Sequence, residues 1–327
     1  MNKPIILLFG MPRSGTTWIG KIFDSHERTL YRHEPDTWNK ITQIPLLANT
    51  ENTEKYCDFV NSYVEEFTYT RRPEVNGKLP FFSKSYASAV RESMFRGSVL
   101  FSSAVSRIKS DSRLPVVRPF SMSRSEELIV TWKSIQLLGR MGVISKCLPN
   151  CRGVVILRHP CGYISSVLSG ESKKKFTSYV AASEDYPLYE KMLETSQARR
   201  YGLTMDGFKA LSPEERLAWR WVLFNEKALD DTADEQNIKP LKYEDMCVDP
   251  VGTAKEYFEF CGLEWSAQTE RFLSQSTTKN SDSYYSVFKN PEQAANKWRK
   301  VLDIEKIKLV EAVVMQSSVG KFYQNSF

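Results

Sequence analysis

The sequence has few histidines, no clustered cysteines and no long apolar run. It contains only three histidines, and its six cysteines are dispersed without any C-x-x-C pair, so no metal site is expected. Buried free thiols are the expected state of these cysteines. No apolar run approaches about 18 residues, so no integral membrane segment is expected. Internal repeats and low-complexity stretches are also absent.

The charge is too modest and too scattered to predict a nucleic-acid partner. The net charge is +6 over 327 residues, and the basic residues stand in separate small groups. The first apolar run begins at Pro4, which leaves no room for a signal peptide. We therefore expect a soluble cytoplasmic protein, unless the chain is the trimmed part of a lumenal one. None of these features indicates an oligomeric state.

A glycine loop follows the first apolar run. Residues Gly10 to Trp18 read GMPRSGTTW, and an apolar helix pattern comes after them. The loop is close to the phosphate-binding pattern G-x-x-x-x-G-K-[ST], with Gly10 and Gly15 at the right spacing, but Thr16 stands at the lysine position. That lysine serves the β- and γ-phosphates of a nucleoside triphosphate. The loop therefore indicates a phosphate nucleotide whose γ-phosphate is not transferred.

The loop carries several donors that suit an anion. Backbone N–H groups from Ser14 to Thr17 would point into it at the positive end of the following helix. Thr16 and Thr17 add hydroxyl groups, and Arg13 adds a planar guanidinium that matches oxyanions. A simple turn is the alternative, but the strand before the loop and the helix after it disfavour that interpretation.

A second segment agrees with the first. Gly153 to Leu157 is another apolar run, typical of a buried parallel strand, and Arg158 follows it directly. Ser166 comes eight residues later, on a predicted helix. Because ligands of open α/β sheets lie at the carboxyl ends of strands, Arg158 and Ser166 together could hold a second phosphate. Alone, an arginine at a strand end is as often a surface salt-bridge partner.

These motifs resemble the nucleotide-binding elements of the sulfotransferases that use 3′-phosphoadenylyl sulfate (PAPS). PRSGTTW, from Pro12 to Trp18, is similar to their 5′-phosphosulfate loop, and RHPCGYISS, from Arg158 to Ser166, is similar to their 3′-phosphate motif. The resemblance continues in LKYEDMCVDP, from Leu241 to Pro250, and in Lys297-Trp298-Arg299. It implies the following nucleotide-binding residues: Arg13, Ser14, Gly15, Thr16, Thr17, Trp18, Arg158, Ser166, Lys297, Trp298 and Arg299.

The resemblance also implies a fold and a reaction. The fold is α/β, a three-layer parallel β-sheet flanked by helices of the P-loop-NTPase-like sulfotransferase kind, formed by residues 1–327 as a single domain. The alternation of strand and helix patterns along the chain independently favours such a sheet. The implied reaction is direct in-line transfer of the sulfuryl group from PAPS to a hydroxyl or an amine. Adenosine 3′,5′-bisphosphate (PAP) is then the product, and no metal is required.

Arg13 and Lys133 are the candidate catalytic cations. Arg13 stands where cytosolic members carry a lysine and carbohydrate-directed members carry an arginine, and it can stabilise the leaving phosphate without acting as a general acid. Lys133 ends the predicted strand from Leu128, but Ile135 stands where the phenol and steroid branch has a histidine. The chain therefore resembles the carbohydrate-directed and bacterial branch more closely.

An acceptor hydroxyl needs a base, and two neighbouring residues are candidates. Glu34, followed by Pro35, matches an acidic element that carbohydrate-directed and some bacterial members carry after the first helix. His33 is the alternative, and neither residue acting as base is the third possibility. Of the other two histidines, His26 is predicted at the surface and His159 in a structural role.

Two long excursions, 71–124 and 173–207, are predicted to recognise a small-molecule or carbohydrate acceptor. Elsewhere, apolar spacing and capping residues predict helices over 56–67, from Pro213, from Pro250 to about Cys261, and from Asp303 onward with Ile304 inward. Two other functions stay open. One is a P-loop kinase or NTPase with an unusual loop, and the other is a non-catalytic module that binds a nucleotide or sulfate.

Overall fold

The computed structural model describes residues 3–108, 114–121, 128–172, 180–278 and 290–327. Its centre is a five-stranded sheet in the order β2-β3-β1-β4-β5, in which every neighbouring pair is parallel. The strands are β1 (Ile5–Gly10), β2 (Thr29–His33), β3 (Ile129–Ser134), β4 (Cys151–Leu157) and β5 (Ile238–Lys242).

The helices connect these strands and cover both faces of the sheet. Within the described ranges they are α1 (Thr16–Asp24), α2 (Pro35–Trp38), α3 (Cys57–Tyr69), α4 (Pro73–Asn76), α5 (Ala89–Ile108), α6 (Met141–Cys147), α7 (Pro160–Ser172), α8 (Tyr186–Leu193), α9 (Ser196–Arg200), α10 (Met205–Ala210), α11 (Pro213–Asp231), α12 (Tyr243–Val248), α13 (Pro250–Phe260), α14 (Ala267–Thr278), α15 (Pro291–Asn296) and α16 (Ile304–Val314). Short 3₁₀ turns occupy Thr53–Tyr56, Leu138–Arg140, Ala182–Glu184, Lys297–Lys300 and Val319–Tyr323.

Strand alternation divides the core into two apolar layers. On β1, Leu7 and Phe9 pack with α3, α6, α7, α11 and α16, whereas Ile6 and Leu8 pack with α1, α12, α13 and α14. All six residues of β1 are buried, as expected for the central strand of a parallel sheet. The three-layer α/β fold predicted from the sequence is therefore confirmed.

Most of the predicted elements are present. A capping box of Ser212 and Glu215 opens α11, and the Asp303 side chain accepts a hydrogen bond from the backbone N–H of Lys306 at the start of α16. The inward position of Ile304 is wrong, because 61% of it is exposed. The surface position of His26 is wrong as well: it is 3% exposed, and its ring packs edge-on against Phe258.

The expectation of free thiols is wrong for one pair of cysteines. Cys57 at the start of α3 and Cys147 at the end of α6 form a disulfide, with their Cα atoms 4.7 Å apart. Cys151, Cys161, Cys247 and Cys261 are buried free thiols, as predicted. The pairing could not be deduced from spacing, because 90 positions separate the two residues along the chain.

The two predicted excursions are partly helical. The first contains α4 and α5, and its residues 109–113 and 122–124 lie outside the described ranges. The second contains α8 and α9, and its residues 173–179 lie outside them. Among the helices that the structure describes, none is long and apolar enough to cross a membrane.

Candidate functional site

The glycine loop takes a conformation that few other sequences would adopt. Arg13 and Gly15 both have positive φ, 73° and 79°, and α1 begins directly afterwards at Thr16. A Cβ atom on Gly15 would lie 2.3 Å from ring carbons of Tyr243, so glycine is required there for space as well as conformation. The N–H groups at Thr16 and Thr17, in the first turn of α1, have no intrahelical acceptor. They are donors available to an anion.

The two motifs singled out in the sequence meet in space. Arg13 Nε donates a hydrogen bond of 2.9 Å to Ser166 Oγ on α7, although 153 positions separate the two residues. Arg158 Nη1 donates one of 2.5 Å to the backbone carbonyl oxygen of Arg13. The loop after β1 and the segment after β4 therefore form one continuous cationic surface at the carboxyl edge of the sheet.

Arg158 is held on several sides. Its Nη2 donates to the carbonyl oxygen of Ala294 at 2.9 Å, its guanidinium lies 5.0 Å from the centre of the Tyr243 ring, and its own carbonyl accepts from Trp221 Nε1. Its Nε atom is buried and has no hydrogen-bond partner among the described residues. A buried guanidinium N–H without an acceptor is costly unless a ligand supplies one. An anion beside Arg158 would satisfy it.

The other predicted nucleotide-binding residues surround this surface in different ways. Trp18 is nearly buried, donates through Nε1 to Ser276 Oγ at 3.1 Å, and meets the Tyr243 ring edge-on. Trp298 is 2% exposed and stacks on His159, with ring centroids 4.5 Å apart. The stacking agrees with the structural role predicted for His159.

The residues on either side of Trp298 point outward. Lys297 and Arg299 are both exposed. The Arg299 guanidinium lies 4.3 Å from the Trp298 ring centre and donates to the carbonyl oxygen of Ser326 at 2.6 Å. Trp298 and Arg158 both border Gly162: a Cβ there would lie 3.6 Å from the Trp298 ring and 3.0 Å from Arg158 Nε.

A second group of side chains lies on the other side of the glycine loop. Glu34 directly follows β2 and has a left-handed backbone, with φ of 47°. Its N–H donates to the carbonyl oxygen of Lys133 at 2.8 Å, and its Oε1 forms an ion pair with Lys133 Nζ. Burial lowers the pKa of Lys133, although Glu34 opposes this effect. The predicted base and the predicted second cation therefore form one pair, with the lysine 1% exposed.

His33 lies beside this pair. Its Nε2 is 3.8 Å from Glu34 Oε1, and its Nδ1 shares a hydrogen bond of 2.9 Å with the Tyr31 hydroxyl. Burial, followed by the charges of Lys133, Lys78 and Lys21, holds the pKa of His33 well below its usual 6.5. The imidazole is therefore neutral at neutral pH and is a weak proton acceptor.

Sheet topology explains how these groups come together. The central strand β1 carries the glycine loop, β4 on one side carries Arg158, and β3 and β2 on the other side carry Lys133 and Glu34. Parallel strands end at the same edge, where open α/β sheets bind ligands. The edge thus has two halves: Arg13, Arg158 and Ser166, here called the anion-binding half, and Glu34 with Lys133, here called the acid–base half.

Sequence reasoning missed two residues of this region. Tyr243 lies within the segment LKYEDMCVDP but was not singled out, although its ring packs against Gly15 and Arg158. Asp36 was missed entirely, because its partners Trp132 and Ser134 are almost a hundred positions away. Within the described ranges, no group of three or more His, Cys, Asp or Glu side chains could hold a metal ion.

Comparison with known proteins gives a consistent family. A model of the sulfotransferase family matches residues 4–267. Carbohydrate sulfotransferase 2 of Mus musculus and of Homo sapiens are each 35% identical to this chain over 79 residues, which are 23% of this chain. That stretch spans only 15% of either relative's own length.

Solved structures similar to this chain are also sulfotransferases. A mouse sulfotransferase complexed with PAP is 11% identical with a TM-score of 0.46, covering 100% of this chain and 90% of that one. A sulfotransferase domain from the curacin biosynthetic pathway is 13% identical with a TM-score of 0.45, covering 98% of this chain and 99% of that one.

Proposed function

The chain belongs to the sulfotransferase family, and from that premise we propose that it transfers the sulfuryl group of PAPS to a hydroxyl, or an amine, of a carbohydrate or other small acceptor. Sulfuryl transfer is the family's activity, and the donor and the acceptor are the proposed parts. The observation that carries the proposal is the contact of Arg13 with both Ser166 and Arg158, which joins two anion-binding motifs.

The two motifs would divide the two phosphate-bearing ends of PAPS. The N–H groups of Thr16 and Thr17, with their hydroxyls, suit the 5′-phosphosulfate at the start of α1. Arg158 and Ser166 suit the 3′-phosphate, which would accept from the Arg158 Nε atom that now has no partner in the described structure. These donors provide for both anionic groups without a metal ion.

Arg13 and Lys133 would act on opposite sides of the transferred group. As the acceptor oxygen forms its bond to sulfur, the bond between sulfur and the bridging phosphate oxygen breaks, and PAP leaves with that bonding pair. Arg13, beside the 5′ end, stabilises the charge that develops on the bridging oxygen. Lys133 neutralises charge on the sulfuryl oxygens from the acceptor side, where it already pairs with Glu34.

Glu34 is the base that the geometry favours. It would accept the proton of the acceptor hydroxyl as the new oxygen–sulfur bond forms. His33 lies beside Glu34, with His33 Nε2 3.8 Å from Glu34 Oε1, but its pKa is held well below 6.5 by burial and three lysines, so it accepts a proton less readily. We assign His33 instead to the wall of the site beside Glu34, where the Tyr31 hydroxyl holds its ring by a hydrogen bond of 2.9 Å.

A carbohydrate acceptor is supported by the short match to carbohydrate sulfotransferase 2 and by the Glu34-Pro35 element. The segments 71–124 and 173–207 would recognise the acceptor. We assign these segments and the sheet to a single domain. Tyr86 and Phe120, two aromatic residues of the first segment, are 2% and 1% exposed and belong to packing. Phe81 and Phe82 are half-buried and remain candidates for contacting a sugar ring.

The cellular location is a separate proposal. The Cys57–Cys147 disulfide favours an oxidising compartment over the cytoplasmic location predicted from the sequence, since reduced thiols prevail in the cytoplasm.

A transfer assay with two arginine variants tests the function. The parent protein is incubated with PAPS and a panel of sugars, amino sugars and phenols, and PAP release and the sulfated product are quantified. We expect Arg13→Ala to abolish transfer with a modest loss of PAP affinity, and Arg158→Ala mainly to weaken PAP binding. Arg152→Ala is the matched control, because that arginine is exposed at the opposite end of β4. Turnover equal to the parent's in either site variant would overturn the assignment.

A further inference from the structure

Two carboxylates of one short turn contact opposite faces of β3 near its end. Glu34 and Asp36 lie on either side of Pro35 at the start of α2. Because side chains alternate along a strand, Lys133 lies on one face of β3, and Trp132 and Ser134 lie on the other. Glu34 pairs with Lys133 on the first face. On the second face, Asp36 Oδ1 accepts from Trp132 Nε1 at 3.2 Å and Oδ2 accepts from Ser134 Oγ at 2.7 Å.

On the Asp36 side of the turn, the carboxylate is buried and both of its oxygens accept hydrogen bonds. Asp36 is 1% exposed, and burial raises its pKa against the opposing effect of the two hydrogen bonds. Trp132 is fully buried, with its ring 4.7 Å from Phe67 and 5.3 Å from Phe9 between centroids. The carboxylate therefore fastens α2 to a side chain that the core holds in one position.

The Glu34 side of the turn has a strained backbone. Its backbone has φ of 47°, a conformation that is unfavourable for a residue other than glycine and persists only where neighbouring contacts impose it. Pro35 and the single turn of α2 provide few such contacts, because the helix is only four residues long. The Glu34 N–H bond to the Lys133 carbonyl fixes one end of the turn, and the hydrogen bonds of Asp36 to Trp132 and Ser134 fix the other.

We propose that Asp36 is a positioning residue, which sets the Glu34 carboxylate against Lys133 at the acceptor side of the site. This inference rests on the proposed function for its kinetic consequence, but its geometric content stands independently. The role is geometric: an asparagine could accept from Trp132 and donate to Ser134 Oγ, and so preserve both contacts.

Kinetics of Asp36→Ala and Asp36→Asn test the inference. We expect Asp36→Ala to lower kcat at least tenfold, as a misplaced catalytic group does, with PAP affinity within about twofold of the parent's. Asp36→Asn should stay within about threefold of the parent. The matched control, Asp234→Asn, changes an exposed aspartate in the turn after α11. A parental kcat in Asp36→Ala, or an equal loss in Asp36→Asn, would overturn the proposal.

A double variant separates positioning from a general loss of structure. In a Glu34→Gln background, single-turnover rates should fall by less than about threefold on adding Asp36→Ala, because the group being positioned is already absent. The full tenfold loss in that background would mean that Asp36 acts otherwise.

Crystal structures of the parent and of Asp36→Ala provide a readout that does not depend on sulfuryl transfer. The Glu34 carboxylate should lie beyond hydrogen-bond reach of Lys133 Nζ in the variant. An unchanged ion pair would refute the inference even if the parent proved inactive with PAPS. Inactivity of the parent would instead count against the proposed function.

Discussion

The two members of the Glu34–Lys133 pair should be unequally costly to remove. Lys133 has 1% of its side chain exposed, whereas Glu34 has 18%. Glu34→Gln leaves the buried ammonium without its carboxylate, and breaking a buried pair in this way costs about 3–5 kcal/mol. Lys133→Met leaves a carboxylate that still reaches water, so we expect about 1–2 kcal/mol. The double variant should be more stable than Glu34→Gln alone.

Urea unfolding followed by circular dichroism measures these differences. Glu65→Gln is the matched control, because Glu65 is exposed on α3. The expected order of unfolding free energy is parent, Lys133→Met, then Glu34→Gln. A larger cost for Lys133→Met than for Glu34→Gln, or a double variant less stable than both, would mean that the burial of Lys133 does not set the cost of breaking the pair.

The pH dependence of Glu34→Gln follows from the same pair. Burial already lowers the pKa of Lys133 from 10.5, and without Glu34 the pKa should fall further. Between the lowered pKa of Lys133 in the folded state and its ordinary value in the unfolded state, the unfolded state binds more protons than the folded one. Stability therefore rises with pH between these two pKa values. The deficit of Glu34→Gln should therefore shrink as the pH approaches 10.5, the ordinary lysine value. A deficit that is independent of pH would contradict this.

Three further predictions concern the site and the disulfide. Glu34→Gln should lower turnover by about 10²–10⁴-fold with PAP affinity unchanged. His33→Gln should lower turnover by less than about tenfold. Normal turnover in Glu34→Gln would exclude Glu34 as the base. Gly15→Ala should abolish PAP binding in calorimetry, because a Cβ there lies 2.3 Å from an aromatic ring, and parental affinity would contradict the loop geometry. The double variant Cys57→Ser with Cys147→Ser should lower the unfolding free energy by about 4–5 kcal/mol, because the disulfide closes a loop of about 90 residues in the unfolded chain. Thiol titration of the denatured, unreduced parent should count four free cysteines.

Local motifs made the anion-binding half predictable. The strand, glycine loop and helix around Gly15 are contiguous in the chain, and their spacing alone predicts an anion site formed by backbone N–H groups. Arg158 and Ser166 are likewise eight residues apart on one strand and helix. Their contact with Arg13 needed only the rule that parallel strands present their carboxyl ends together.

The acid–base half was less accessible to sequence reasoning. Strand β2 was not predicted, because Thr29–His33 has no apolar run and gains its burial from packing against β3. Glu34 and Lys133 were each proposed, but as separate candidates, since the register of β2 and β3 makes them neighbours across 99 positions. The same long separation hid Asp36 and its hydrogen bonds to β3.

Calorimetric titration of the purified protein with PAP, beside ATP with Mg²⁺, distinguishes a PAPS site from a nucleoside triphosphate site. We expect tight binding of PAP without a metal and much weaker binding of Mg-ATP, because Thr16 replaces the lysine that serves the γ-phosphate. A preference for Mg-ATP would contradict the assignment of the site to PAPS and would favour the kinase hypothesis.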